Sequence, residues 1–257
     1  MTRRMWLAIA LLFGLVAIPW VVDLQPNAID LGEVLLPPSR EHLLGTDENG
    51  REVLHRILAG AQLTLGIGIS SAVLAVVIGS ILGAVAGYSG GGVDDVIMRT
   101  TDLALALPTL FVILVASTLI QTGVPQLILL IGFTGWMPVA RIIRGTTREI
   151  TTRQFVLAAE SYGAGRTRIL LNHIAPNLLN IIAVTATIQL GRAIMMEATI
   201  SFLGVGIQPP DATWGSMLSS AQSYLLIAPW LALAPGIALS LALLIIANTT
   251  LDHRHRN

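Results

Sequence analysis

The chain lacks cysteine and lysine, and these two absences exclude several kinds of chemistry. No cysteine occurs among its 257 residues, so disulfides, thiolate metal sites and cysteine nucleophiles are excluded. All fifteen basic residues are arginine. Without lysine the chain cannot form the phosphate-binding loop GxxxxGK[ST], in which the lysine reaches the β- and γ-phosphates of a nucleotide. We therefore expect that this chain binds no nucleotide cofactor and does not hydrolyse ATP by itself.

Charge of either sign is also scarce. Charged residues make up 12% of the chain and hydrophobic residues 54%, with a mean hydropathy of +0.75. Since soluble domains contain roughly a quarter charged residues, the composition indicates a membrane protein. Apolar runs that approach the roughly 20 residues needed to cross a bilayer occupy residues 5–22, 61–87, 103–120, 124–140, 178–200 and 224–247. The sequence thus predicts an all-α polytopic membrane protein with about six transmembrane helices, the third of them bent at Pro108.

The charges are segregated between the segments that connect these runs. Residues 23–60 contain seven acids and three arginines, whereas residues 141–177, the basic segment, contain six arginines and two acids. Arginine-rich segments between spans stay in the cytoplasm. We therefore place the basic segment, between the fourth and fifth spans, and both termini in the cytoplasm, and the acidic segment outside. The chain divides into an anchor helix with an extracytoplasmic acidic loop, residues 1–60, and a transmembrane domain, residues 61–257.

The basic segment is too patterned for a simple connection. A stripe at spacing i, i+3, i+4 and i+7, typical of a helix, consists of Phe155, Ala158, Ala159 and Tyr162. Gly163 and Gly165 interrupt this helix and allow a sharp bend or the close approach of another backbone. A second short apolar run follows and ends at Pro176, where the next span begins. We expect two short helices at an angle, joined by an exposed elbow of small residues that another protein can contact.

This segment resembles the EAA loop of permeases from ATP-binding-cassette importers. That pattern has Glu-Ala-Ala, a glycine four residues after the second alanine, and Ile-x-Leu-Pro ten residues further on. The residues in register are Ala158, Ala159, Gly163 and Pro176, and the departures are Leu157, His173 and Ala175. The ending HIAPN is similar to the branch that imports peptides and nickel. So are HLLGTDENGREVLHRILAGAQLTL, GYSGGGVDDVIMRTTDLALALPTL and EATISFLGVGIQPPDATWGSML, at residues 42–65, 87–110 and 197–218.

The resemblance implies a permease subunit of the bacterial cytoplasmic membrane. Its expected partners are a second, homologous permease, two ATPase subunits that hold ATP and magnesium, an extracytoplasmic solute-binding protein and membrane lipid, with no nucleic acid. The residues that would couple it to the ATPases are Phe155, Ala158, Ala159, Tyr162, Gly163, Arg166, Arg168 and Pro176. The cargo stays open between dipeptides, oligopeptides, nickel chelates and oligosaccharides.

The same resemblance gives the acidic segment a function. It would form a folded cap on which the solute-binding protein docks, through Asp47, Glu48, Arg51 and Glu52. The alternative is a solvated connector without a partner.

Arg192 and Glu197 are the only ionisable residues well inside the predicted spans. Because charge inside a membrane is expensive and usually faces a cavity or a partner, one of them is a candidate for the translocation pathway. The alternative is that both lie near the outer surface, in solvent. The five histidines are scattered and no hydrolase motif occurs, so the sequence predicts neither a catalytic residue nor a metal site.

Smaller patterns predict helix packing and ion pairs. The small-xxx-small spacing of Gly79, Gly83 and Gly87 lets two transmembrane helices approach closely. The polar residues after the second span favour an interfacial cluster of ion pairs with Arg99 over a metal site; they are Asp94, Asp95 and Asp102. Residues 201–223 contain two prolines and a tryptophan and are expected to dip back into the membrane as a re-entrant turn.

Two other classes of protein remain as alternatives. A transporter driven by an ion gradient usually carries acids at mid-membrane and broken helices in paired halves. A membrane-embedded enzyme needs polar catalytic groups at one depth. The sequence shows no pair of acids at mid-span, no evident internal repeat and no such polar cluster, which favours the importer permease.

Overall fold

The computed structural model describes residues 24–120 and 123–254, together with Gly14. In these residues the regular structure is helical, as predicted, and no β-strand forms. In chain order the helices are α1 Val53–Ser89, α2 Gly91–Ala106, α3 Thr109–Leu119, α4 Val124–Thr151, α5 Gln154–Ser161, α6 Arg166–Ile169, α7 Ala175–Phe202, α8 Trp214–Ala221 and α9 Trp230–Arg254. A π-helical turn, Leu170–Ile174, joins α6 to α7.

Among the described residues, four stretches of helix are long and apolar enough to cross a membrane. They are Val53–Ser89, Val124–Thr151, Arg166–Phe202 and Trp230–Thr249. The pair α2 and α3 meets the same criterion as one broken span, with a bend of 81°. These candidates correspond to the second to sixth predicted spans, so the all-α polytopic membrane fold is confirmed. The first predicted span, residues 5–22, lies outside the described residues, and the total of six stays a prediction.

The break between α2 and α3 falls at Pro108, as predicted. Leu107 is extended, with φ −90° and ψ 131°, because a following proline disfavours the helical conformation. Residues 89–102, the polar connection between the second and third predicted spans, are mostly helical. Gly90 and Gly91, with φ of 61° and 51°, make the turn after α1, and α2 begins at Gly91.

Three helices differ in extent from the predicted apolar runs. α1 begins at Val53 rather than near residue 61, and α4 continues to Thr151 rather than ending near residue 140. The apolar run marks only the part of a helix that suits the bilayer, while backbone hydrogen bonds carry the helix into the polar flanks. α9 begins at Trp230 rather than near residue 224, directly after Pro229, which is favourable only at the start of a helix.

Close backbone packing joins α1 to α4, as the glycine spacing predicted. A Cβ atom would lie 2.6 Å from the carbonyl oxygen of Trp136 if added to Gly79, 2.5 Å from that of Ala140 if added to Gly83, and 2.7 Å from that of Arg144 if added to Gly87. Both sets of residue numbers increase together along the contact, so α1 and α4 run parallel.

The parallel packing determines the path of the intervening chain. Since α1 and α4 point the same way, α2 and α3 must return the chain from the Gly90 end of α1 to the opposite end, where α4 starts. α7 runs antiparallel to both, because Leu178 near its start packs with Ile143 of α4 and Ile194 near its end contacts Gly68 of α1. The acidic residues before α1 and the basic segment after α4 therefore lie at opposite ends of the bundle.

Residues 201–223 contain a short helix that docks on α1. α8 starts with a capping box between Thr213 and Ser216. The indole N–H of the fully buried Trp214 donates to the carbonyl oxygen of Ile57 at 3.0 Å, and its backbone N–H donates to Thr64 Oγ1 at 3.1 Å. The segment is thus fixed to the N-terminal half of α1.

Cysteine labelling tests which end of the bundle faces the cytoplasm. The chain contains no cysteine, so a single one placed at the exposed Glu41 or Thr152 has no background. In right-side-out vesicles we expect a membrane-impermeant maleimide to label Glu41→Cys at once and Thr152→Cys only after permeabilisation. Labelling of both from the same side would contradict the orientation given by the arginine distribution.

Candidate functional site

The basic segment forms the two short helices and the elbow that the sequence predicted. α5 ends at Ser161, α6 begins at Arg166, and the elbow is residues 162–165. Gly163 has φ 77° and no atom within 4 Å of a Cβ placed on it, so it is used for its left-handed conformation and not for a close internal contact. Its N–H donates to the carbonyl oxygen of Glu160 at 2.9 Å, which ends α5.

A buried apolar cluster fixes these short helices to the spans. Val156 of α5, Ile169 of α6 and Ile174 of the π turn are at most 1% exposed, and they pack with residues near the end of α4 and the start of α7. The end of α4, the short helices and the start of α7 thus share one apolar core. The predicted stripe missed Val156, because an eight-residue helix shows too little periodicity to separate its inner from its outer face.

The predicted coupling residues lie mainly on the opposite, exposed surface. Tyr162 is 92% exposed and Phe155 41%. Ala159 is half-buried and packs on the apolar cluster, so it belongs to the inner side. The remaining members are exposed: Ala158, Gly163, Arg166, Arg168 and Pro176. This outer surface, residues 155–168 without Val156, Ala159 and Ala164, carries exposed small, aromatic and basic groups.

The arginines at the start of the basic segment belong to α4 and pair with acids of α2. Asp94, 2% exposed, accepts from Arg144 Nη2 at Oδ2 over 2.6 Å, from Arg144 Nε at Oδ1, and from Arg148. Arg141 pairs with Asp102. The sequence predicted an ion-pair cluster here, but Arg99 was the wrong partner, since the cations come from α4, 39 to 54 residues away.

The cap, residues 24–52, is held together by its own charges. Arg51 Nε donates to Asp47 Oδ2 at 2.6 Å, and Arg56 of α1 approaches the same oxygen at 3.4 Å. Glu48 contacts Arg51 Nη2 at 3.1 Å. Asp47 and Arg51, predicted to receive a partner protein, are buried. Asp47 links the cap to Arg56 of α1, and Arg51 pairs within the cap. The side chains of Glu48 and Glu52 remain partly exposed to solvent.

His42 lies in the cap between two carboxylates. Its Nδ1 is 2.5 Å from Glu52 Oε1, and its Nε2 is 3.6 Å from Glu33 Oε2. The hydrogen bond to Glu52 raises the pKa of His42 above its usual 6.5, with the charges of Glu33 and Glu41 acting in the same direction and burial opposing them. Because the folded pKa is raised, protonated His42 stabilises the cap below pH 6.5, and this stabilisation is lost as the pH rises through the folded pKa.

We therefore expect backbone hydrogen exchange in residues 39–47 to accelerate, after correction for intrinsic rates, as the pH rises from about 5.5 to 8. His42→Gln should remove this pH dependence. His55→Gln is the matched control, because His55 makes no ion pair in the described part of the chain. If hydrogen exchange in His42→Gln kept the same pH dependence, groups other than His42 would be responsible for it.

A cleft of about 860 Å³ opens beside α7. Its wall combines the α2–α3 bend with α4, α7 and α9, and most of the lining is apolar. Arg192 is the only charged residue of the lining, and it makes no ion pair within the described residues. Gln189, Thr187 and Thr199 add polar groups to the wall. Gln189 could not be found by sequence reasoning, because an isolated glutamine in an apolar run matches no motif.

The structure separates Arg192 from Glu197. Glu197 is fully buried, outside the cleft lining, and accepts a hydrogen bond from Ser201 Oγ at 2.7 Å. The spacing i, i+5 places the two side chains on different faces of α7. Of the two predicted pathway residues, only Arg192 therefore borders the cleft.

Comparison with known proteins finds one family of transport components. Residues 75–257 match the family described as binding-protein-dependent transport system inner membrane component. A protein of Brucella suis that carries the name of a peptide permease is 39% identical over 238 residues, 92% of this chain and 79% of its own. The oligopeptide transport system permease protein of Haemophilus influenzae is 36% identical over 239 residues, 92% of this chain and 76% of its own. The dipeptide transport system permease protein of Bacillus subtilis is 38% identical over 210 residues, 80% and 66% respectively.

Proposed function

This chain belongs to the family of inner membrane components of binding-protein-dependent transport systems, and we propose that it imports peptides delivered by a solute-binding protein. As a family member it is a multi-pass permease subunit of an ATP-binding-cassette importer. The proposal that the cargo is a peptide rests on the names of the relatives compared above, which refer to peptide, oligopeptide or dipeptide transport. None of the three relatives named above carries the name of a nickel or oligosaccharide transporter.

The cleft is suited to the passage of peptides. Its volume of about 860 Å³ lies in the range of pockets that hold small organic ligands, about 300–1,000 Å³. Its walls are mostly apolar, so side chains of different kinds meet no strong, specific binding site that would retain them. Arg192 offers one cation to a peptide carboxylate. Arg192 therefore borders the pathway, while Glu197 lies in the core and accepts a hydrogen bond from Ser201.

The outer surface of the basic segment provides the contact with the ATPases. Two ATPase subunits, one for each of two permeases, hold ATP and magnesium, and their closure moves the short helices as a unit. The shared apolar core of α4, α5, α6 and α7 supports this role, because it lets a force applied at the elbow reach two spans directly. The second permease closes the open side of the cleft. In this arrangement both termini of the chain are cytoplasmic.

The test is reconstitution in proteoliposomes with the cognate permease, ATPases and binding protein. We expect uptake of peptides to require ATP and the liganded binding protein, and ATP hydrolysis to rise when both are present. Uptake driven by an ion gradient without ATP would overturn the importer. Uptake of a nickel chelate but of no peptide, under the same conditions, would overturn the cargo.

A further inference from the structure

α2 buries few of its side chains against the described bundle, and one of them is charged. Its only buried residues are Asp94 and Thr101, and the Thr101 hydroxyl donates within its own helix, to the carbonyl oxygen of Ile97 at 2.8 Å. The large apolar side chains of α2 that are exposed include Val93, Val96 and Leu103. The carboxylate of Asp94 is therefore the main buried contact between α2 and the rest of the bundle.

Two arginines of α4 share that carboxylate. Arg144 binds both oxygens of Asp94 through Nε and Nη2, the fork geometry that makes arginine–carboxylate pairs strong and directional. Arg148, one turn further along α4, contacts Oδ2. The neighbouring pair of Arg141 and Asp102 is about half exposed on both sides, and exposed pairs of this kind contribute little.

The two ends of α2 touch different parts of the protein. At its start, Asp94 is held by the end of α4, whose Ile143 and Ile150 belong to the same apolar core as the short helices of the basic segment. At its other end, Leu105 lines the cleft, and so do Thr109 and Leu110 just beyond the 81° bend. α2 thus connects the body that carries the elbow to the wall of the cleft.

We propose that the Asp94–Arg144–Arg148 cluster transmits movement of the basic segment to α2 and α3 and so to the cleft wall. This rests on the proposed function as the permease of an ATP-driven importer. When the elbow moves, α4 moves with it, and the bidentate pair moves the start of α2. The movement of α2 then shifts the α2–α3 bend that borders the cleft. Asp94 is a positioning residue, since it contacts neither cargo nor nucleotide.

The test uses Asp94→Asn in the reconstituted complex, with Asp95→Asn as the matched control. Both changes remove one charge at neighbouring positions of α2, but Asp95 is exposed and makes no ion pair in the described chain. Losing a hydrogen bond to a charged group should lower stimulated ATP hydrolysis and peptide uptake by about tenfold in Asp94→Asn. Basal ATP hydrolysis and assembly should stay at the wild-type level, Asp95→Asn should behave as wild type, and Asp94→Glu should recover part of the coupling.

A cross-link separates transmission from a purely structural role. In the double variant Asp94→Cys, Arg144→Cys, with cysteine-free partners, coupling should be low until a short bifunctional thiol reagent reconnects α2 to α4, and should then rise. Wild-type stimulation in Asp94→Asn would overturn the proposal. Loss of assembly or of basal hydrolysis together with uptake, without recovery by the cross-link, would also overturn it. If the wild-type complex shows no cargo-stimulated hydrolysis, the proposed function fails instead.

Discussion

Replacing Gly163 with proline should abolish the stimulation of ATP hydrolysis by cargo-loaded binding protein. Gly163 has φ 77°, whereas proline is fixed near −65°. Proline also lacks the N–H that donates to the carbonyl oxygen of Glu160. In this variant the native conformation of the elbow is less stable by about 3 kcal/mol or more. The fraction of molecules with that conformation therefore falls by about a hundredfold. The apolar core around Val156 is untouched, so the permease should still assemble.

Gly165→Pro is the matched control for this prediction. Gly165 lies two residues away in the same elbow, but its φ of −67° already suits proline. We expect Gly165→Pro to retain stimulated ATP hydrolysis and uptake in proteoliposomes, with Gly163→Pro at the basal rate. If Gly163→Pro kept the same stimulated ATP hydrolysis as Gly165→Pro and the wild type, the geometry of the elbow would not matter for coupling.

The second large effect is expected at the contact between α1 and α4. A Cβ on Gly83 would lie 2.5 Å from the carbonyl oxygen of Ala140, and backbone cannot move aside as a flexible side chain can. Overpacking usually costs about 1–3 kcal/mol, and Gly83→Leu should reach the upper end because the contact repeats along both helices. We expect a lower yield of folded protein in detergent and a lower midpoint of thermal unfolding.

Gly66 provides the control on the same helix. It has no atom within 4 Å of an added Cβ, so Gly66→Leu adds the same side chain without a clash. Its unfolding midpoint should stay close to that of the wild type. A similar loss of stability in both variants would indicate a general intolerance of α1 to leucine, and not a specific close approach.

Features that depend on neighbouring residues in the chain could be predicted from the sequence. The apolar runs, the break at Pro108 and the elbow at Gly163 are local, since length, ring geometry and backbone freedom act within a few residues. The packing of Gly79, Gly83 and Gly87 followed from their spacing, although the spacing did not name α4 as the partner. The family followed from the motifs and is confirmed.

Features that depend on pairing distant segments could not be predicted. Asp94 meets Arg144 and Arg148 only because α1 and α4 pack in parallel, and the nearer Arg99 looked equally suitable in sequence. The cleft is formed by helices from four parts of the chain, so no local sequence pattern predicts it. The inner position of Ala159 follows from the cluster around Val156, which leaves Ala158 and Tyr162 as exposed positions.

Cross-linking can show whether the outer surface of the basic segment touches the ATPases, as proposed above. Ala158 is exposed, and the chain has no other cysteine, so Ala158→Cys can carry a short photoactivatable cross-linker in the assembled, membrane-embedded complex. We expect a covalent product with an ATPase subunit, and none when the cross-linker is placed at Glu41 of the cap. A product with the solute-binding protein from Ala158→Cys, or no product with the ATPase, would contradict this proposal.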